Sequence, residues 1–235
     1  VGNLEIAAFS DQLRIVVSMP LETAVASVVA AESVPGAPIE ALKAQAVASR
    51  SYLLAGKGTH RGFDFCDTTH CQFLREPPSH WSAAYTAAQE TRGVVLAYQG
   101  TPFAAMYSRS CGGKTHSLED LGMPVRGYPY FSVVCDYCRR HPERWVTTIK
   151  QSDAPALNAT ESSRLRLARR LGWKMLPSNS YTERSDAGGV VLEGLGVGHG
   201  LGLCQRGAAD MARHGARFEE ILAHYYPNSS LKQMP

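Results

Sequence analysis

The stretch from Ala30 to Tyr52, AAESVPGAPIEALKAQAVASRSY, leaves this chain few folds to choose from. Just before it Leu21, Val25, Val28 and Val29 recur at helical spacing, and Glu32, four residues beyond Val28, continues their stripe. Pro35 and Gly36 break that helix. Pro38 then starts a second one, in which Ile39, Leu42, Ala46 and Leu53 share a face until Gly56 and Gly58. Two apolar stripes joined by so short an elbow bury each other as a helical hairpin. The hairpin carries a carboxylate, Glu32, at its elbow, and two environments are open to it. Aimed at the core or a cleft wall, it is desolvated and can hold a proton near neutral pH, as a general acid must. At the helix end in water it is an ordinary solvated acid.

Before the hairpin, Leu13 to Ser18 alternates and is β-branched, which predicts a strand, with Ser18 and Pro20 as helix-start signals. After it, Ser79 to Thr91 reads as a third helix, with Ser79 as cap, Tyr85 and Ala88 in its stripe and Gly93 as stop. From Val94 to Tyr107 the pattern becomes strand, turn at Gln99-Gly100, strand, a hairpin that delivers the loop Ser108 to Thr115, SRSCGGKT. The tail of that loop imitates a phosphate-binding loop. The motif's first glycine would have to stand at Ser108, so nucleotide binding is rejected. Its two adjacent glycines either bring backbone amides close to a ligand or make a plain turn.

Tyr128 to Val134 is predicted to be another strand, followed by Cys135-x2-Cys138 and a basic run to Arg144. Asn158 to Leu171 reads as a charged surface helix whose arginines form a solvated face. Val190 to Leu192 begins a last strand that runs into GLGVGHGLGLCQRG, where glycines at 194, 196, 198, 200 and 202 have a period of two. Dinucleotide-binding spacing is never met there. Cys204, Ala208, Met211 and Ala212 stripe the next helix, and Phe218, Ile221, Leu222 and Tyr225 the closing one. No repeat, linker or low-complexity segment interrupts the chain. The expectation is one α+β domain over residues 1–235, its Glu-bearing helical hairpin packed on a mostly antiparallel sheet.

With 44% hydrophobic residues the chain can bury a core, and its net charge of +3 is spread without a Lys/Arg stripe or aromatic-basic interleaving. That excludes a dedicated nucleic-acid binder and leaves a mildly anionic polymer open. No apolar run is long enough to span a membrane. The first residue is Val, so a signal or anchor segment is expected to have preceded it.

Of six cysteines, five fall between Cys66 and Cys138. His60, Cys66, His70 and Cys71 lie in one short segment, THRGFDFCDTTHC, and two thiolates with two imidazoles suit a closed tetrahedral zinc site of structural type. Both His70 and Cys71 can ligate only if the backbone turns sharply, which the small Thr68 and Thr69 favour. A Cys66–Cys71 disulfide or two buried thiols are the alternatives. Cys135-x2-Cys138 needs two more ligands, with Cys111, Cys204, His116 and His141 as candidates, and a disulfide or redox pair is equally compatible. A zinc deaminase would need a His-x-Glu upstream of that Cys-x2-Cys pair, where there is none, and no Gly-x-Ser-x-Gly elbow occurs. His199, between glycines, can be a ligand, an acid-base group or a hydrogen-bonded structural histidine.

Four blocks, AAES with EALKAQAVASRSY, CDTTHCQ, SRSCGGKT, and GVGHGLGLCQRGA with EILAHYYP, occur in an order that resembles the stage II sporulation protein D (SpoIID/LytB) family of peptidoglycan lytic transglycosylases. The likeness spans nearly the whole chain. It implies that Glu32 is catalytic, that His60, Cys66, His70 and Cys71 bind structural zinc, and that the two glycine-rich blocks line a cleft. Ligand-facing roles follow for Ser110, Lys114, His199 and Gln205, and for Gln45 and Arg50 in the second helix. The implied reaction cleaves the bond after N-acetylmuramic acid without water and leaves a 1,6-anhydro end. The implied substrate is peptidoglycan glycan strands denuded of stem peptides, in an extracytoplasmic location. Three rivals stand beside it: a hydrolase pairing Glu32 with Asp64, Asp67 or Glu119, a non-catalytic glycan-binding activator of a cell-wall amidase, and a zinc-stapled interaction protein with a degenerate site. The chain departs from the family where Ser33, Val34 and Pro35 replace the usual methionine-proline. It departs again at Cys111, Cys135, Cys138 and Cys204, which suggest a second metal site or a bridge.

Overall fold

A computed structural model describes residues 2–10, 12–58, 60–68, 70–125 and 127–234. In chain order the elements begin with strands β1 Asn3–Phe9 and β2 Gln12–Ser18, helices α1 Leu21–Glu32, α2 Ile39–Ala55 and α3 Ala83–Glu90, and strands β3 Val94–Tyr98, β4 Thr101–Pro102 and β5 Tyr107–Ser108. Next come α4 Asp136–Arg140, β6 Arg144–Ile149, α5 Ala154–Ala159, α6 Glu161–Leu171, β7 Tyr181–Asp186 and β8 Gly189–Leu195. The chain closes with β9 Leu203–Cys204, α7 Gln205–Arg213, α8 Phe218–Tyr225 and β10 Ser230–Gln233. The fold is α+β, but in place of one sheet the described residues form four small ones, all antiparallel except the β5–β9 pair. No helix among the described residues is long and apolar enough to cross a membrane.

These elements fall into two compact units. Unit 1 comprises the chain up to Ala105 with Arg217–Glu219 and the segment from Ser229, and unit 2 comprises Met106–Ala216 with Glu220–Asn228. The interdigitated sequence of the two explains why no linker composition marks them.

Unit 1 is built on the expected hairpin. Val25, Val29, Leu42, Ala46 and Leu53 meet Ala84, Ala87 and Ala88 of α3 in one core, and the alanines let three helices approach closely. Ile39 stands apart from its predicted stripe and is 37% exposed. Arg50, fully buried, staples the unit. Its guanidinium gives its five N–H groups to both carboxylate oxygens of Glu22, the carbonyls of Ala88 and Val94 and the hydroxyl of Thr91. The third helix starts a turn later than predicted, because Ser82, not Ser79, accepts the capping bond from the Tyr85 amide. Strand β3 pairs with β4 through the predicted Gln99-Gly100 turn and, on its other side, with β10, which the sequence did not mark. The β1–β2 hairpin sets Leu4 opposite Val17, Ile6 opposite Ile15 and Ala8 opposite Leu13, an apolar face that is exposed.

Unit 2 has its own core of Ile149, Leu157, Leu167, Ala168, Leu176, Val190 and Leu192 between the β6-β8-β7 sheet and helices α5 and α6. The predicted helix over 158–171 is two helices, split where Thr160 caps α6. Its arginines are not all solvated: Arg164 is buried, forked onto both carboxylate oxygens of Glu161. The strand predicted over Tyr128 to Val134 does not form. That segment is held instead by Thr115, whose backbone and hydroxyl bond to Phe131 and Val133, and by edge-to-face rings of Tyr128 with Tyr130, Phe131 and Tyr226.

Candidate active site and metal centre

In unit 1 the site is assembled from the end of α1 and the segment that follows α2. Ser27, fully buried on α1, accepts from the Arg75 amide at 3.1 Å and donates back to the Arg75 carbonyl. One turn further, Glu32 closes the helix half-buried and accepts a short hydrogen bond from the amide of Phe73. Residues 73–75 therefore lie along α1 and present a backbone donor to the carboxylate. Arg75 covers the Phe73 ring at 4.0 Å, which stiffens this strap. Tyr52 of α2 also feels the site. Burial first, then the negative charges of Cys71, Cys66 and Glu32, push its phenol up to about 12, so it stays protonated.

Two residues before Phe73 the chain leaves a cluster of four donors. His60, Cys66, His70 and Cys71 bring one ligand atom each to within 4.8 Å of one another. His60 Nε2 lies 3.1 Å from Cys71 Sγ, and His70 Nδ1 lies 3.5 Å from Cys71 Sγ and 3.8 Å from Cys66 Sγ. A tetrahedral ion with bonds of about 2.0 Å to nitrogen and 2.3 Å to sulfur needs ligand atoms spaced at about 3.3–3.8 Å, so the residues present fit a metal. The sharp turn required at His70-Cys71 is supplied by the Cys71 amide bonding to the Thr68 carbonyl and the His70 amide to the Thr68 hydroxyl. Thr69 lies outside the described residues. Burial raises the Cys66 thiol, but hydrogen bonds with Thr68 and Cys71 outweigh it and bring the group below the ordinary thiol range. Burial holds Cys71 above that range. All six cysteines are free, so neither set is bridged here.

The other predicted site residues divide by what they touch. Arg50 spends every donor inside unit 1, which corrects the ligand-facing role implied for it, and Gln45 is 2% exposed with its amide donating to Ser49. In unit 2, Ser110 is buried with its hydroxyl 3.6 Å from Cys138 Sγ, and Lys114 is exposed on the same loop. Gln205 opens α7 at 7% exposure. His199 is half-buried. Its Nδ1 accepts from the Leu201 amide at 3.0 Å, its ring bonds to the Tyr107 backbone, and its carbonyl accepts from Asn179. Burial pushes this histidine down to about 4, so the imidazole is neutral. Gly200 beside it has φ +71°, and a Cβ there would stand 2.6 Å from the His116 ring, so only glycine lets the loop lie against that side chain.

Two groups escaped the sequence reading. Gln72 is 2% exposed, and among the described residues neither of its amide atoms has a hydrogen-bond partner, one residue before the amide that holds Glu32. Tyr52 is the other. Both close a quoted block, at the end of CDTTHCQ and of EALKAQAVASRSY, but neither position has a periodicity that separates a site residue from a packed one.

Cys111, Cys135, Cys138 and Cys204 also converge within 4.8 Å, all four buried inside unit 2. Hydrogen bonding among the sulfurs holds Cys138 and Cys135 below the ordinary thiol range and Cys111 and Cys204 above it.

A family model for SpoIID, stage II sporulation protein, matches residues 10–98, the part that contains Glu32 and the His60–Cys71 donors. An uncharacterized protein of Brachyspira hyodysenteriae is 29% identical over 96% of this chain and 70% of its own length. Stage II sporulation protein D of Bacillus amyloliquefaciens is 24% identical over 92% of this chain and 75% of its own length. An amidase enhancer of Bacillus subtilis is 24% identical over 82% of this chain and 38% of its own length.

Proposed function

Since this chain belongs to the SpoIID family of stage II sporulation proteins, we propose that it acts on the cell wall as a peptidoglycan lytic transglycosylase. The observation that carries the reading is the seat of Glu32: a half-buried carboxylate at a helix end, oriented by the Phe73 amide and neighboured by a protonated tyrosine.

In this reading one group acts twice. Glu32 gives its proton to the bridging oxygen between N-acetylmuramic acid and N-acetylglucosamine, and the C1–O bond breaks toward an oxocarbenium-like state. The muramic acid's own 6-hydroxyl oxygen then bonds to C1, and its proton returns to the Glu32 carboxylate. The acid is regenerated, no water is consumed, and the products are a 4-hydroxyl end and a 1,6-anhydro end. A second carboxylate is not required. Asp64, one of the candidate partners, accepts a hydrogen bond from the Gly58 amide at 3.1 Å, within its own loop.

Zinc is the ion we assign to His60, Cys66, His70 and Cys71. It would supply rigidity, fixing the segment whose next residues hold Glu32, and no bond of the sugar passes through it. Of the residues given ligand-facing roles, Lys114 carries the exposed side chain best suited to a glycan contact. An extracytoplasmic location follows from the substrate.

The test is to digest denuded and intact peptidoglycan side by side and weigh the products. Anhydro ends support transglycosylation, whereas products heavier by one water, with reducing ends, support hydrolysis. The amidase enhancer among the relatives favours one further reading, a glycan-binding activator. It predicts binding to glycan strands without turnover, together with stimulation of an added cell-wall amidase.

A further inference from the structure

We propose that Cys111, Cys135, Cys138 and Cys204 hold one zinc ion in a closed, all-sulfur site that clips together the two glycine-rich loops of unit 2. The proposal is independent of what unit 1 does to glycan. Its first support is convergence. The four residues come from the SRSCGGKT loop, the N-terminal edge of α4, the first turn within α4 and the end of β9, and yet their sulfurs lie within 4.8 Å of one another. Cys138 Sγ and Cys204 Sγ, 66 residues apart in the chain, are 3.5 Å apart. Tetrahedral zinc–thiolate bonds of about 2.3 Å place sulfurs about 3.8 Å from each other. An iron–sulfur cluster shares its thiolates among several irons and needs a wider ring of sulfurs. A disulfide uses two sulfurs and gives no reason for four to meet at one point.

The second support is the surroundings. Each of the four cysteines is at most 3% exposed, so an ion bound there is sealed from solvent, as in structural rather than catalytic sites. Polar groups are turned onto the sulfurs. The Tyr225 hydroxyl donates to Cys135 Sγ at 3.3 Å, and Ser110 Oγ lies 3.6 Å from Cys138 Sγ, the outer contacts that stabilise metal-bound thiolates. At Gly207 of α7 a Cβ would come within 1.9 Å of the Tyr225 hydroxyl and 2.5 Å of Cys135 Sγ, so the helix reaches the cluster only because that position is glycine. The backbone closes around it as well: the Cys135 amide bonds to the Gly113 carbonyl at 3.0 Å, and the Arg206 amide to the Arg109 carbonyl at 3.2 Å. On binding, each thiol gives up its proton to solvent and the ion takes four thiolate bonds, with no oxidant involved.

Metal content of the purified full chain, by mass spectrometry of the elements, tests this first. About two zinc ions per chain are expected, with an average absorption-edge shell of three sulfurs to one nitrogen. The double variant His60→Ala with His70→Ala should then keep one ion with a purely sulfur shell. Substituting cobalt into that variant should give the intense charge-transfer bands of a tetrathiolate. Near one zinc per chain with a mixed nitrogen–sulfur shell would overturn the proposal. So would a protein mass showing these four cysteines as disulfides, alkylation of all four under native conditions, or iron in place of zinc. Should the double variant not fold, the stoichiometry and shell of the unaltered chain decide alone.

Discussion

The two four-donor clusters make an instructive pair. In unit 1 the donors come from twelve consecutive positions, 60–71, and are partly open to solvent; in unit 2 they come from three distant stretches and are sealed. A local, accessible set can do little for a global fold, and its effect is passed along the chain to the next residues, where the Phe73 amide meets Glu32. A sealed set drawn from distant positions closes long loops and bears on stability. With the proposed ions bound, the same number of donors would serve positioning in one unit and cohesion in the other.

Metal removal should sharpen that contrast most. A strong chelator is expected to take the accessible ion first, abolishing glycan cleavage while unit 2 stays folded, and the sealed ion later with loss of tertiary structure. Zinc release followed alongside activity and near-ultraviolet circular dichroism checks this, and release in one phase would break the distinction. Next in size is Arg50→Ala. Leaving the half-buried Glu22 without its guanidinium partner should cost about 3 kcal/mol, read from the denaturant midpoint.

Acid is expected to act on unit 2 through His199. Its folded value of about 4 lies below the ordinary 6.5, so the neutral form is favoured in the fold. The stability it contributes is complete above pH 6.5 and is lost as pH falls through the window to about 4, at most about 3 kcal/mol. Denaturation at stepped pH should show that slope, and His199→Gln should flatten it. Ser27→Ala is the smallest case. Losing both bonds to Arg75 should cost about 1–2 kcal/mol and lower kcat more than KM is raised, because the strap behind Glu32 loosens.

How much of this could be read from the chain beforehand depended on whether the information was local. The helices α1 and α2 were legible because apolar spacing, Pro35-Gly36 and Pro38 all agree there, and the His60–Cys71 donors because they sit in one short segment. Strands β7 and β10 were not, since YTERSD and SLKQ lie largely on the surface and carry no apolar alternation. Tyr128 to Val134 looked like a strand by composition, but its rings pack on one another and its amides answer to Thr115, a partner no window of sequence contains. The arginines misled in the same way: Arg50 and Arg164 are internal because Glu22 and Glu161 neutralise them, and only the fold brings Glu22 to Arg50. The meeting of Cys111, Cys135, Cys138 and Cys204 is the extreme case, suggested by cysteine count and visible only once β9 lies beside β5.

The central claim is that one carboxylate at the end of α1 carries the proton in both directions. The direct measurement is turnover of denuded glycan strands by Glu32→Gln, with anhydro products quantified by mass and with zinc content and denaturant midpoint recorded on the same sample. The account predicts that anhydro ends disappear while metal and stability match the unaltered protein. Cleavage at near the unaltered rate by that variant would contradict it.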